Sequence, residues 1–256
     1  MFRLDTLLYP ALFDWYKTTR HFFPLVGAVL LKRQDGVVYV DNPDKPRQAY
    51  VEHAFGFAQV FGETDAGFET ELERYLLVDR QFAVTKVRLY GTYLPEFLDA
   101  QRFDKMRSFR QRFFATPETL VETETAEALR LDKVNNQNIV EIEEIFGVVK
   151  RFWRSPDDFI ERANGIVVYY RGQLAGICYA AAEADHQVEM DFFVSPEFRR
   201  KGVGRLAITQ FSNHCFSQSL QPVWDCFTNN VGSMSLRRVV GYFVVDGPYL
   251  FYTIDK

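Results

Sequence analysis

Cysteine is scarce in this chain. Among 256 residues there are three, Cys178, Cys215 and Cys226, odd in number and with no CxxC pair. That pattern argues against a disulfide framework and against a structural zinc site, and it fits a reducing, cytoplasmic setting. No metal is expected. Histidine is also rare, with four residues, and no Ser/His/Asp or Cys/His constellation stands out. Long apolar runs are missing: nowhere do eighteen apolar residues follow one another, so no membrane-spanning helix is expected. Residues 1–16 mix Asp5 and Asp14 with their apolar residues and lack a basic segment before an unbroken apolar core, so a signal peptide is not expected either. Charge of one sign is lacking too. Lys and Arg number 30 against 34 Asp and Glu, a formal net charge of -4, which supplies no concentrated positive field for nucleic acid or anionic lipid.

Apolar residues are plentiful, 47% of the chain with 16% aromatic, enough to build a sizeable core, and two domains are expected. In the first half, residues 25–31 and 36–40 are β-prone and flank Asp35-Gly36, which reads as a hairpin. After the breaker Asn42-Pro43-Asp44-Lys45-Pro46, residues 48–61 read as one further strand. Residues 65–79 have helical spacing through Phe68, Leu72, Tyr75 and Leu76, and 86–93 read as a strand. Residues 94–114 are expected to be helical, Phe97, Leu98, Phe103, Met106 and Phe113 interleaving with Arg102, Lys105, Arg107, Arg110 and Arg112. Such a basic face suits either solvent or an RNA or membrane surface. The polar, acidic stretch 116–127 marks a boundary between an α+β domain at 1–117 and a second at 122–256.

In the second half the expected order is a strand at 128–131, a helix over 136–152 and another helix opened by Ser155-Pro156, with Ser155 as N-cap and Pro156 at the first helical position. Strands at 166–170 and 174–181 flank Arg171-Gly172, and 188–194 is a further strand. No internal repeat and no low-complexity segment is present.

The informative stretch is Val194-Ser195-Pro196-Glu197-Phe198-Arg199-Arg200-Lys201-Gly202-Val203-Gly204, followed by a helical pattern in which Val203, Leu206, Ala207, Phe211 and Cys215 share a face. A strand thus runs through a basic glycine turn into a helix start. Backbone N–H groups at the positive end of a helix, approached without an intervening Cβ, make a cradle suited to pyrophosphate. A P-loop or a dinucleotide fingerprint would need a spacing that is absent. The plain alternative is an ordinary loop with solvated charges.

The stretch resembles motif A of the GNAT acyltransferases, (R/Q)-x-x-G-x-(G/A), with Arg199, Gly202 and Gly204 on the defined positions. Farther on, Asn230-Val231-Gly232-Ser233-Met234-Ser235-Leu236 and Gly241-Tyr242-Phe243 resemble motif B, N-x-x-S-x-x-L followed by G-(F/Y). Glu189-Met190-Asp191 and Pro222-Val223-Trp224-Asp225-Cys226 are similar to segments of the two-domain branch that includes zwittermicin A resistance acetyltransferase, as is Val38-Tyr39-Val40-Asp41-Asn42-Pro43. The resemblance implies a GNAT fold in the C-terminal half, a mixed and mostly antiparallel sheet flanked by helices. The N-terminal domain would be a degenerate GNAT-like half shaping the acceptor cleft. It also implies transfer of an acetyl group from acetyl-CoA to a small-molecule primary amine by direct attack, without a metal.

On that resemblance the CoA diphosphate rests on the amides of Arg200, Lys201, Gly202, Val203 and Gly204, and the pantetheine runs beside Phe193 and Val194. The side chains of Arg199, Arg200 and Lys201 either add charge or face water. Asn230 and Ser233 either line the CoA side or cap a helix. An alkyl ammonium must lose a proton before attack. Glu189 is the first candidate base, with Asp191 on the same side by the two-residue repeat of a strand; the other reading is that both orient the ammonium or pair with arginine. The tyrosine that often follows the motif B leucine is replaced by Arg237, which leaves the general acid open between Cys226, Tyr242 and water. Cys226, His186 and His214 read more simply as structural or surface residues. The rival readings are a non-catalytic acyl-CoA-binding module and a nucleic-acid binder using Arg102 to Arg112.

Overall fold

The computed structural model describes residues 1–98, 101–123 and 125–256, with backbone alone at 101–103. It divides into two compact units, Met1–Arg110 with Pro248–Lys256, and Gln111–Gly247. The strands and helices follow in chain order as β1 (Phe2–Arg3), α1 (Tyr9–Tyr16), α2 (Pro24–Leu30), β2 (Gly36–Val40), β3 (Gln48–His53), β4 (Phe57–Gly62), α3 (Ala66–Glu73), β5 (Lys86–Gly91) and β6 (Arg107–Phe114). They continue as β7 (Leu129–Lys133), α4 (Ile139–Phe146), α5 (Val149–Phe152), α6 (Pro156–Arg162), β8 (Ile166–Tyr170), β9 (Gln173–Ala184) and β10 (Gln187–Val194). The last are α7 (Val203–Ser217), β11 (Gln221–Phe227), α8 (Val231–Val240), β12 (Phe243–Val244) and β13 (Tyr249–Asp255). Both units are α+β.

In the first unit the strand order is β1-β2-β3-β4-β5-β13-β6, antiparallel except for the parallel pair β4/β5. Phe68, Leu72 and Leu76 pack with Val60, Leu89, Tyr252 and Ile254 in the core, and the side chain of Asp65 caps α3 by accepting from Phe68 N–H. Four expectations change here. Residues 25–31 form no hairpin strand, because Pro24 opens a helix, α2, that is buried on every side; a short apolar run does not reveal its period. The stretch 48–61 is two strands, folded back at Gly56 (φ +87°). The helix expected over 94–114 is absent from the described residues. Short 3₁₀ turns, Glu96–Leu98 and Gln101–Met106, lead into β6. The basic amphipathic helix therefore does not form: Arg107 pairs with Asp104, and Arg110 lies over the Phe251 ring. Asp99 and Ala100 lie outside the described residues, as does the side chain of Arg102. Finally, the chain's last strand, β13, pairs with β5 and β6 in the first unit rather than closing a domain at 122–256, and the division falls at Arg110 rather than at 117–122.

In the second unit the order is β6-β11-β10-β9-β8-β7, with β12 paired to β6. The β10/β11 pair is parallel, and β7 to β10 run antiparallel. The helix expected over 136–152 is two, α4 and α5, because Gly147 ends α4 in the left-handed region. Ser155 caps α6 as its sequence implies. Tyr179 meets Phe152 and Phe159 on the α5–α6 side, while Gly176, an odd number of residues away on β9, has no room for a Cβ beneath Val203 of α7. The sheet is thus covered by helices on both faces, the mixed, mostly antiparallel arrangement expected.

Candidate functional site

The site begins where two strands part. β11 pairs with β10 only from Gln187–Gln221 to Glu189–Val223, whereas β9 accompanies β10 as far as Val194. Past Glu189, one edge of β10 has no strand ladder among the described residues. Ser195 N–H donates to Ala175 O on the β9 side, so by alternation the N–H of Phe192 turns toward the open edge. There it donates to its neighbour, the Asp191 carboxylate, at 2.9 Å. An exposed strand edge of this kind is a template for an extended, amide-bearing ligand.

Beyond β10 the chain enters the basic glycine turn. Arg200 (φ +62°) and Gly202 (φ +82°) both adopt left-handed backbone. Gly202 is the N-cap of α7, and no side chain caps the helix. The first turn closes with Leu206 N–H donating to Gly202 O, so the preceding amides point out of a 15-residue helix at its positive end. A Cβ on Gly202 would meet only Leu129 Cδ1, at 3.6 Å, so the space beside the Gly202 backbone is open. This geometry fits a pyrophosphate. Gly204 serves packing, since a Cβ there would press on Leu236 of α8 and Val194 of β10 at 3.2 and 3.3 Å. Arg199, Arg200 and Lys201 are exposed, and Lys201 Nζ folds over the rings of Tyr170 and Phe198.

Of the two expected acids, Glu189 is buried, at 5% exposure, at the last β10/β11 pair. The β9/β10 register shifts between Glu189 and Met190, and its extra residue, Ala181, lies on β9 rather than on β10. Asp191 is partly exposed and well held: it accepts from Tyr179 Oη at 2.6 Å and lies 3.5 Å from Arg151 Nη1. Burial first, and then the Asp191 carboxylate, push the Tyr179 phenol well above its ordinary range, so it stays protonated and donates. Arg151 itself is anchored, with Nε donating to Gly147 O and Nη2 to Phe146 O at the end of α4. Neither Tyr179 nor Arg151 is legible as a site residue in the sequence. Phe193 meets the Phe146 ring at 5.3 Å.

The motif B residues do structural work. Asn230 Oδ1 accepts from Ser233 N–H at 3.1 Å and so caps α8. Arg237 turns away, its guanidinium over the Phe113 ring and donating to Tyr242 O. Tyr242 is buried against Ser212 and Met190, and burial raises its phenol well above the ordinary value. Cys226 is buried beside Met234 Sδ. His186 is exposed, and His214 sits partly exposed within α7, against Asn164.

A sequence profile described as GNAT acetyltransferase matches residues 23–252. The chain belongs to that family. The matched span starts just before α2 and ends within β13, so the family relationship takes in both units of this GNAT protein, more than the last hundred or so residues in which motifs can be read. A GCN5-related N-acetyltransferase-like protein from Streptococcus suis 89/1591 is similar in fold, with a TM-score of 0.68 at 14% identity, covering 98% of this chain and 100% of that one. A tandem GNAT protein from the clavulanic acid biosynthesis pathway is similar at a TM-score of 0.65 and 11% identity, covering 98% and 95%. In sequence, the chain is 23% identical over 104 residues to the uncharacterized N-acetyltransferase YdfB of Bacillus subtilis (strain 168); that match spans 41% of this chain and 40% of YdfB. The GNAT family uses acetyl-CoA. Among the described residues no helix is long and apolar enough to cross a membrane.

Proposed function

We propose that this GNAT protein transfers an acetyl group from acetyl-CoA to the primary amine of a small molecule, in the cytoplasm, by direct attack of the amine on the thioester. One observation carries the reading: the open edge of β10 past Glu189 leads straight into the uncapped start of α7. Amides of the Arg200–Gly204 turn would hold the diphosphate, and the edge at Phe193 and Val194 the pantetheine, whose own amides suit a strand edge. Phe192 N–H would turn from Asp191 to the acyl carbonyl, where charge develops in the transition state. Glu189, directly or through a water, would take the proton that an amine of pKa near 10 carries at neutral pH. The departing thiolate, with a thiol pKa of about 8.5, needs less help. Neither Arg237 nor the buried phenol of Tyr242 is suited to give it a proton. The Glu189-Met190-Asp191 and Trp224-Asp225-Cys226 segments favour the two-domain zwittermicin-resistance branch.

The Arg237 substitution favours one second reading, a non-catalytic acyl-CoA-binding module. Ligand-dependent melting tests the part the two readings share. A ligand bound only by the native state adds about 2.7 kcal/mol of stability at a hundredfold excess over Kd, so acetyl-CoA should raise the melting temperature. No shift at millimolar acetyl-CoA would remove both readings.

A further inference from the structure

Within the second unit, the pair Arg151 and Asp191 is built in an unusual way. Among the described residues, each charge is anchored from behind by neutral groups only. Carbonyls of Phe146 and Gly147 hold the guanidinium, both at 3.1 Å, while the Tyr179 phenol holds the carboxylate at 2.6 Å. The two charges then meet loosely, at 3.5 Å, with side-chain exposures of 33% and 36%. A pair this exposed contributes little, so replacing that direct contact with contacts to a ligand costs little. Both heads would stay where their anchors hold them. A fixed carboxylate beside a fixed guanidinium is complementary to a molecule carrying an ammonium and a carboxylate on one carbon.

The position matters as much as the charge. Asp191 shares the open stretch of β10 with the Phe192 amide. An ammonium paired to Asp191 therefore lies beside the edge along which the acyl group would run, two residues from Glu189. We infer that the acceptor is a zwitterionic α-amino acid or a close analogue, its ammonium set by Asp191 and its carboxylate by Arg151. Arg151 is thus a specificity-determining residue. This rests on the transferase reading for its purpose, but the recognition itself can be tested without turnover.

The test is calorimetric titration of the full-length protein, with and without CoA, using three matched pairs: phenylalanine and phenethylamine, histidine and histamine, lysine and cadaverine. A charge-assisted hydrogen bond contributes about 1.5–3 kcal/mol, or roughly tenfold to 150-fold in affinity. At least one amino acid should bind at least about tenfold more tightly than its decarboxylated partner, by that same estimate. The ratio should fall to near one in Arg151→Gln and be partly kept in Arg151→Lys, which retains charge without the planar fork. Circular dichroism confirms that both variants fold, and if Arg151→Gln does not, the Arg151→Lys ratio decides. The inference is overturned if every amine binds as well as its amino acid, if the preference survives the loss of Arg151, or if none of the six ligands binds. Amino-acid binding without acetyl-CoA turnover would keep the zwitterion site and sink the transferase reading; turnover of plain amines would do the reverse.

Discussion

Gly202 is the position where the backbone geometry and the proposed ligand make the same demand. Its φ of +82° lies in the region L-residues rarely adopt, yet the space where a Cβ would stand is open, with Leu129 Cδ1 at 3.6 Å as the nearest atom. Substitution therefore strains the turn without crowding the core. Backbone strain of this kind costs about 1–3 kcal/mol, against a typical domain stability of about 5–15 kcal/mol, so both Gly202→Ala and Gly202→Val should fold. Binding is expected to separate them. Valine places two more methyl groups over the amides that open α7, and each charge-assisted hydrogen bond lost there is worth about 1.5–3 kcal/mol. Losing two weakens acetyl-CoA by roughly 10² to 10⁴ fold, whereas alanine should lose far less. Calorimetry with acetyl-CoA, paired with urea unfolding, reads both quantities. A folded Gly202→Val protein with wild-type affinity would refute the placement of the diphosphate. Equal losses in the two variants would show that strain, not bulk, governs the turn.

Two other expectations follow from single residues. Glu189→Gln should lower turnover about 10² to 10⁴ fold with acetyl-CoA affinity nearly unchanged, as for loss of a general base; near-normal rates from pH 6 to 9 would return Glu189 to a structural role. His53, 1% exposed and with Nδ1 accepting from Phe55 N–H, is held by burial at a pKa of about 4 against an ordinary 6.5. The unfolded chain therefore takes up a proton that the folded one refuses, so the stability present above pH 6.5 is lost as pH falls toward 4, by up to about 3 kcal/mol. Urea midpoints of wild type and His53→Asn between pH 7.5 and 4.5 should show a steeper acid loss in the wild type, and parallel curves would contradict this.

The C-terminal strands, the glycine turn and α6 are legible because their signals are local. Arg171 and Gly172 take the two positive φ values of a tight hairpin turn, +49° and +81°, and Ser155-Pro156 supplies cap and first position in adjacent residues. What escapes the sequence depends on partners far along the chain. β6 carries aromatics and arginines at spacings that suit either period, and its strand state is set by pairing with β13, more than 130 residues later. α2 reads as a strand because all-round burial erases its period. The link between Tyr179 and Asp191 is hidden by the register shift: counting back from the β9/β10 turn with unbroken pairing sets Tyr179 against Phe192, and the shift at Glu189/Met190 moves it to Asp191. Arg151 is likewise an ordinary helix-end cation in the sequence, given meaning only by a carboxylate 40 residues away.

The most direct test of the account is whether acetyl leaves CoA and arrives on nitrogen. Purified protein would be incubated with acetyl-CoA and a panel of primary amines and amino acids, with free thiol measured continuously and products identified by mass spectrometry. The account predicts that thiol and N-acetyl product appear together, one for one, for at least one acceptor, and that both rates collapse in Glu189→Gln. Acetyl-CoA that binds and stabilises the fold yet yields no N-acetylated product from any acceptor would contradict it, leaving an acyl-CoA-binding module in place of an enzyme.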